Sequence, residues 1–457
     1  MPNRSTLRAS TVALALLASA AAAADPFSDP FATESTVAPF TPCRAVADTA
    51  PLTLAQTVDT ALCANPQTRE AWANARAQAA LSGVAASAYL PTLNATATAG
   101  RSHSNGSADQ HSLGASLSWL LFDFGGRAAT LENARQLLLA ANATRDATVQ
   151  AVFLAAVEAW YQVHSARAAL DAAEASEKAA EQSFRAADAR YAAGRATPAD
   201  KLQAQTAWSQ ARLSRIAAAG ALKTAQGALA ATLGRDAHRP LALAASAQPT
   251  PPTDFERDVD ALVSEARRRR PDLIAAAAQA EAARAGVDAA RAAYLPELTL
   301  GLASNAAHTD RQPDIRSSTV GVTLSMPLFA GFATRYRVRS AEAQAEARQA
   351  QRERLALQVA QDVWNAYQGL VTSTQSARSS ADLLASAEAS EKVARGRYQA
   401  GVGNILELLN AQSALAAARQ QRVQTLYNWN VARVALAQAM GTLDSGLINT
   451  LQEGMTP

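Results

Sequence analysis

The sequence predicts a mainly α-helical protein with a small amount of membrane β-structure, built as two tandem copies of one unit. Three observations lead there. Residues 127–193 contain neither Gly nor Pro, so a single helix can run about 100 Å at 1.5 Å per residue. Short segments alternate apolar with small polar residues at period two, the pattern of strands with one dry and one wet face. Finally, landmark residues recur in one order at a near-constant spacing.

The recurrences define the copies. Ala88-Tyr89-Leu90-Pro91 returns as Ala293-Tyr294-Leu295-Pro296, and Leu121-Phe122 as Leu328-Phe329. Arg190-Tyr191-Ala192-Ala193-Gly194 returns as Arg397-Tyr398-Gln399-Ala400-Gly401, and Leu233-Gly234 as Met440-Gly441. An Ala-rich low-complexity chain would not place Tyr-Leu-Pro and Leu-Phe twice.

Taken in order, residues 1–24 read as a secretory signal. Arg4 and Arg8 precede the apolar run Thr11 to Ala20, and Ala22-Ala23-Ala24 offers a cleavage site. The run is too short to span a bilayer. Residues 25–51 form an N-terminal periplasmic extension. It contains Cys43, and Cys63 follows it; in an oxidising compartment this pair is expected to form a disulfide. Closing a loop of that size stabilises by roughly 3 kcal/mol. No later run of 18 apolar residues exists, so entry into a membrane has to be by strands.

The first copy covers residues 52–243. A helix opens at Pro66, with Asn65 as N-cap, and ends near Ala88 before Pro91. Strands occupy about 92–121, where Leu93, Ala95, Ala97 and Ala99 alternate with Asn94, Thr96, Thr98 and Gly100. The polar stretch from Arg101 to Gln110 reads as a loop between them. A long helix from Arg127 to Ala193, a turn at Gly194 to Pro198 and a helix from about Ala199 to Leu233 follow. A Pro-rich linker, 244–258, leads to the second copy, 259–443. There strands fall at about 297–328, with Asn305 to Arg316 as the loop. The helices run from about Arg335 to Ala400 and from Asn404 to Met440, and residues 444–457 form a tail.

Composition narrows the function. With 42 basic and 39 acidic residues the net charge is +3, which gives no reason to expect nucleic-acid binding. His103, His111, His164, His238 and His308 show no metal-ligand spacing, and no nucleophile elbow or phosphate loop is present, so no metal, cofactor or enzymatic activity is expected. His103, His111 and His308 fall in the expected outer loops as solvated side chains. Four strands cannot close a barrel alone; two chains give eight, and three give twelve, enough for a lumen. Aromatic residues gather at the helix–strand junctions: Tyr89, Trp119, Phe122 and Phe124 in one copy, Tyr294, Phe329 and Phe332 in the other. An interfacial girdle sits at such places.

On these doubled junctions, the Tyr-x-Ala-Gly turns and the helix ends at Leu233-Gly234 and Met440-Gly441-Thr442-Leu443, the chain resembles the TolC family over nearly its whole mature length. The resemblance implies a homotrimer with a 12-stranded outer-membrane β-barrel, set in outer-membrane lipid, and a long periplasmic α-barrel. It implies an exit duct for type I protein secretion, working with a periplasmic adaptor and an inner-membrane ABC or other transporter. The absence of a Cys after the expected cleavage site favours this reading. Drug or metal efflux through the same kind of duct is the alternative, and a periplasmic coiled-coil adaptor or scaffold the alternative of another class. The resemblance further implies a periplasmic gate at Asp200, Tyr398, Glu407 and Asn410. Gly403 stands where the family has a gating arginine, leaving Arg195 or Arg397 to compensate. Adaptor-facing tips are implied at Ala193, Gly194 and Arg195 and at Ala400, Gly401 and Val402.

Overall fold

The computed structural model describes residues 28–39, 51–103, 107–239, 241–245, 258–310 and 312–443. The expected signal segment, Cys43, most of the Pro-rich linker and the C-terminal tail lie outside these residues.

The two copies repeat one another element by element. The first holds α1 (Leu54–Ala64), α2 (Pro66–Ser87), β1 (Thr92–His103), β2 (Ser107–Phe122), α3 (Gly126–Ala192) and α4 (Pro198–Thr232). The second holds α5 (Val259–Arg269), α6 (Pro271–Ala292), β3 (Glu297–Thr309), β4 (Gln312–Ser325), α7 (Ala333–Gln399) and α8 (Ile405–Ala439). Corresponding helices have identical lengths of 11, 22, 67 and 35 residues. The chain divides into two compact units, each drawing on both copies: residues 1–39, 73–143 and 275–354, and residues 40–72, 144–274 and 355–457.

The first unit carries an antiparallel sheet in the order β1-β2-β3-β4. Its register places Leu93 opposite Leu117, Leu117 opposite Leu302 and Leu302 opposite Val320. One face is therefore apolar, and the other displays Thr, Ser, Asn and Gly. Much of the apolar face is uncovered, with Val320 at 65% and Leu324 at 67% exposure, while Leu117 within it is buried. A water-facing sheet would not present such a band, whereas a lipid-facing one does.

The segments expected as loops are strands. Only three residues separate β1 from β2, and β3 and β4 meet around Asp310. Polar residues continue the sheet past its apolar band because cross-strand pairs hold them: Arg101 to Asp109 at 2.8 Å, Thr98 to Ser112 at 2.6 Å and His308 Nδ1 to Asp314 at 2.6 Å. His103, His111 and His308 are accordingly exposed strand residues, and His111 sits opposite His308.

The strand-to-helix corner is built by Arg127. Its guanidinium donates to the carbonyls of Leu120 and Leu121 and lies 4.7 Å from the centre of the Tyr89 ring. The Asp123 carboxylate accepts from the Arg127 amide at 2.6 Å, and Trp119 Nε1 donates to the Tyr89 carbonyl at 3.0 Å. The aromatic belt is thus bonded into the corner. Residues 28–39 also join this unit, where Arg76 meets Glu34 at 3.3 Å and Asn142 donates to the Thr36 carbonyl.

In the second unit the largest core gathers Leu54, Val58, Val152, Val157, Trp160, Leu229 and Val434, among others. Leu52 pairs in parallel with Leu243 beside it. Asn65 works in two directions: its side-chain oxygen accepts from Gln67 N at 2.8 Å, and its amide donates to the Thr232 carbonyl at 3.0 Å. That contact brings the C-terminus of α4 against the α1–α2 junction. Gly234 then lies so close that a Cβ there would sit 2.7 Å from the Ala64 carbonyl oxygen; its φ is +68°. The second copy repeats the docking: a Cβ at Gly441 (φ +71°) would lie 2.9 Å from the Arg269 carbonyl carbon. Replacing either glycine by Ala should destabilise the protein by about 1–3 kcal/mol, because a left-handed backbone and a steric overlap act together. Denaturant unfolding of Gly234→Ala and Gly441→Ala checks this, and an unchanged midpoint in both would refute it.

Candidate functional site

The helix reversals at Gly194 and Gly401 hold every residue implied as gate or tip. Both reversals use the same cap. Gly194 (φ +69°) donates to the Tyr191 carbonyl, and the Arg195 amide reaches back to the Arg190 carbonyl at 2.8 Å. Gly401 (φ +78°) donates to the Tyr398 carbonyl, and the Val402 amide reaches the Arg397 carbonyl at 3.0 Å. This pattern satisfies the last carbonyls of α3 and α7 and needs a residue without Cβ strain at the left-handed position. Ala193, Gly194, Arg195, Ala400, Gly401 and Val402 are consequently all exposed.

The next helices start at once. Thr197 caps α4 in a box with Asp200: the Thr197 hydroxyl accepts from the Asp200 amide, while the Asp200 carboxylate accepts from the Thr197 amide and hydroxyl, both at 2.9 Å. Asn404 caps α8 by accepting from the Glu407 amide at 2.7 Å. Acidic Asp200 and Glu407 therefore stand in first turns, where the helix dipole favours negative charge.

Beneath the turns, all four helices meet around one ring. Tyr398, 6% exposed, packs with Ala187, Ala204, Ile405 and Leu408. Arg190 of α3 covers it, its guanidinium 4.1 Å from the ring centre and bonded to the Tyr398 carbonyl oxygen. The sequence brings Tyr398 and Asp200 to the same end, yet among the described residues no hydrogen bond joins the Tyr398 hydroxyl to Asp200. Glu407 pairs with Arg397 at 3.1 Å, and Asn410 is exposed on α8. Gly403 has a steric reason: a Cβ there would lie 3.1 Å from both Arg397 Cβ and the Tyr398 amide nitrogen. A larger residue there would need the Arg397–Tyr398 segment to give by a few tenths of an ångström.

Two participants were not foreseen. Arg190 is one; the doubled Arg-Tyr dipeptide was its visible signal. Lys201 is the other. It pairs with Asp188 at 2.7 Å and lies 5.4 Å from the Tyr191 ring centre. The hydrogen bond and charge of Asp188 raise its affinity for the proton. Among the described residues no cluster of His, Cys, Asp or Glu could hold a metal.

Comparison with known proteins agrees with this architecture. The family model described as "Outer membrane efflux protein" matches residues 57–235 and 262–442. "Protein CyaE" of Bordetella pertussis is 34% identical over 93% of this chain and 92% of its own length. "Pyoverdine export outer membrane protein OpmQ" of Pseudomonas aeruginosa is 29% identical over 80% of each. The Campylobacter jejuni CmeC outer membrane channel superposes with a TM-score of 0.77 at 17% identity, covering 88% of this chain and 89% of that one.

The geometry separates ring from hydroxyl at Tyr398. Tyr398→Phe should change unfolding free energy by less than about 0.5 kcal/mol, while Tyr398→Ala should cost about 3–5 kcal/mol. A large loss in the Phe variant, measured by the same denaturation, would return the weight to the hydroxyl.

Proposed function

Because the chain belongs to the outer membrane efflux protein family, we propose that it is the outer-membrane exit duct of a type I protein secretion system. Members of this family are trimeric outer-membrane channels that extend into the periplasm and work in tripartite systems with adaptors and inner-membrane transporters. The single observation that carries the finer reading is the match with CyaE along nearly the whole chain. The relative named for pyoverdine export matches at lower identity over less of the chain; it supports small-molecule efflux as the second reading. In the first reading a homotrimer receives cargo from an inner-membrane ABC or other transporter, sealed by a periplasmic adaptor at the tips around Gly194 and Gly401. Asp200, Glu407 and Asn410 line the periplasmic constriction, and Tyr398 packs behind them among the four helix ends. The open cap at each tip, with its exposed Val402 and Arg195, offers the adaptor a helix end without bulky cover.

Deleting the gene should remove specific polypeptides from the culture medium and leave tolerance to small toxic compounds near wild type. The converse outcome, an unchanged secretome with heightened drug or metal sensitivity, would favour the efflux reading.

A cleaved leader of residues 1–24 and a Cys43–Cys63 disulfide belong to the same proposal, since both follow from export to the periplasm. Cys63 lies at the end of α1, beside the Asn65 junction that docks α4. Maleimide labelling of the denatured, unreduced protein should detect no thiol, and about two per chain after reduction. Two reactive thiols before reduction would exclude the bond.

A further inference from the structure

The two strand-to-helix corners of the first unit share a design and differ in charge. In the register that sets Phe122 on Phe329, Asp123 and Arg127 correspond to Ala330 and Thr334. The first corner is sealed: Arg127 and Asp123 pair at 3.5 Å, each 12% exposed, and the guanidinium bonds the Leu120 and Leu121 carbonyls. The second corner has no such pair, and Thr334, at the arginine's position, is buried. Three cations follow it where the first copy has none. Ala128, Thr130 and Glu132 become Arg335, Arg337 and Arg339, all exposed in the first two turns of α7. Among the described residues none of the three forms an ion pair or a side-chain hydrogen bond; Arg339 lies 6.0 Å from the centre of the Tyr336 ring. The nearby acids are otherwise engaged or face away. Glu342 accepts from Arg291 at 2.8 Å, and Glu297 stands on the polar face of the sheet, opposite Ser325.

Folding does not ask for these arginines. Cations stabilise the C-terminal end of a helix, not its first turn, and like charges four residues apart, as at 335 and 339, repel. Their surroundings say what would favour them. Leu328 and Phe329 are 88% and 77% exposed, against 37% and 52% for Leu121 and Phe122 in the first copy. This rim ends the apolar sheet face that lipid covers, so α7 starts where the headgroups begin. Arg335, Arg337 and Arg339 stand roughly 3, 6 and 9 Å along the helix, and the headgroup layer is about 5–8 Å deep. Helical spacing sets Arg335, Tyr336 and Arg339 on one exposed face, with Arg337 beyond it. A pair of guanidinium forks one turn apart suits a phosphodiester, which each can bond bidentately. We propose that the second-copy corner is a binding site for an anionic phospholipid of the periplasmic leaflet. Arg335 and Arg339 hold its phosphate, Arg337 adds to the local positive potential, and Leu328 and Phe329 meet its acyl chains. The inference rests on the outer-membrane channel reading above.

Native mass spectrometry of the full-length trimer in detergent, titrated with dioctanoyl phosphatidylglycerol, tests the site. The wild type should retain this lipid in preference to dioctanoyl phosphatidylcholine. Arg335→Gln with Arg339→Gln should weaken retention roughly thirtyfold. Arg348→Gln with Arg352→Gln, an equally spaced exposed pair further down α7, removes the same charge and should stay within about twofold of wild type. Equal losses in the two double variants would mean diffuse attraction and overturn the site. Equal retention of the two lipids by a wild-type trimer also overturns it and leaves the channel reading intact. Competition by soluble glycerol 3-phosphate at matching concentration would assign the arginines to free phosphate instead of lipid. A wild type recovered only from soluble fractions, with no trimer, overturns both readings. Should the Gln pair fail to assemble, Arg335→Lys with Arg339→Lys keeps the charge and removes the forks. Its affinity should fall between the other two, and wild-type affinity there would overturn the bidentate contact.

Discussion

Hydrocarbon offers no partner to a backbone amide, and that constraint governs the chain. A four-stranded meander has two open edges, here β1 and β4. In water such edges are a liability; in a bilayer each unpaired group costs several kcal/mol. One chain therefore cannot be the functional object. Closing the edges with further copies brings helices from each copy side by side as well, and an Ala-rich helix of 67 residues is stable only with such close neighbours. The uncovered apolar residues of the sheet are consequences of the same incompleteness.

Duplication solves the geometry twice, with different residues. The strand-to-helix corner needs two successive left-handed residues. In the first copy these are Phe124 and Gly125, in the second Gly331 and Phe332. Each corner keeps one glycine, where the left-handed backbone is free, and one phenylalanine, where it is strained. In both copies the ring meets a neighbouring phenylalanine edge to face, Phe124 on Phe122 at 4.7 Å and Phe332 on Phe329 at 5.5 Å. At the Gly234 and Gly441 dockings no exchange is seen, since a Cβ has no room at either. Freedom to diverge follows the space available.

Much of this was legible in the sequence. Helix ends were read to within a residue or two because Pro, Asn, Thr and Gly mark caps by local chemistry, independent of packing. The strands were read too short. Arg101, Asp109, His308 and Asp314 look like loop residues, and only a cross-strand partner makes them strand residues; a single sequence does not show which residues will face each other. At the tips the turn glycines were legible and the side-chain partners were not: within one chain Arg190 covers the Tyr398 ring and Thr197 bonds the Asp200 carboxylate. The absence of a cation at Gly403 was visible; its cause, backbone crowding against Arg397, was not.

Contact strengths are unevenly distributed in the second unit. Around Leu54, Val157, Leu229 and Trp160 the core is dry and the side chains are almost fully buried. Each such residue contributes about 1.5–3 kcal/mol, and the glycine dockings lock the helix ends into it. The tips are held differently. The Arg397–Glu407 pair is about half exposed, so it is worth no more than about 1 kcal/mol in water. The Arg190 contact on Tyr398 joins a cation–π pair, worth on the order of 1–2 kcal/mol, to a hydrogen bond with the Tyr398 carbonyl oxygen. Local opening draws on the weakest contacts first. If the duct opens as proposed, the exposed Arg397–Glu407 pair yields before the buried clusters around Tyr398 and Leu229 do.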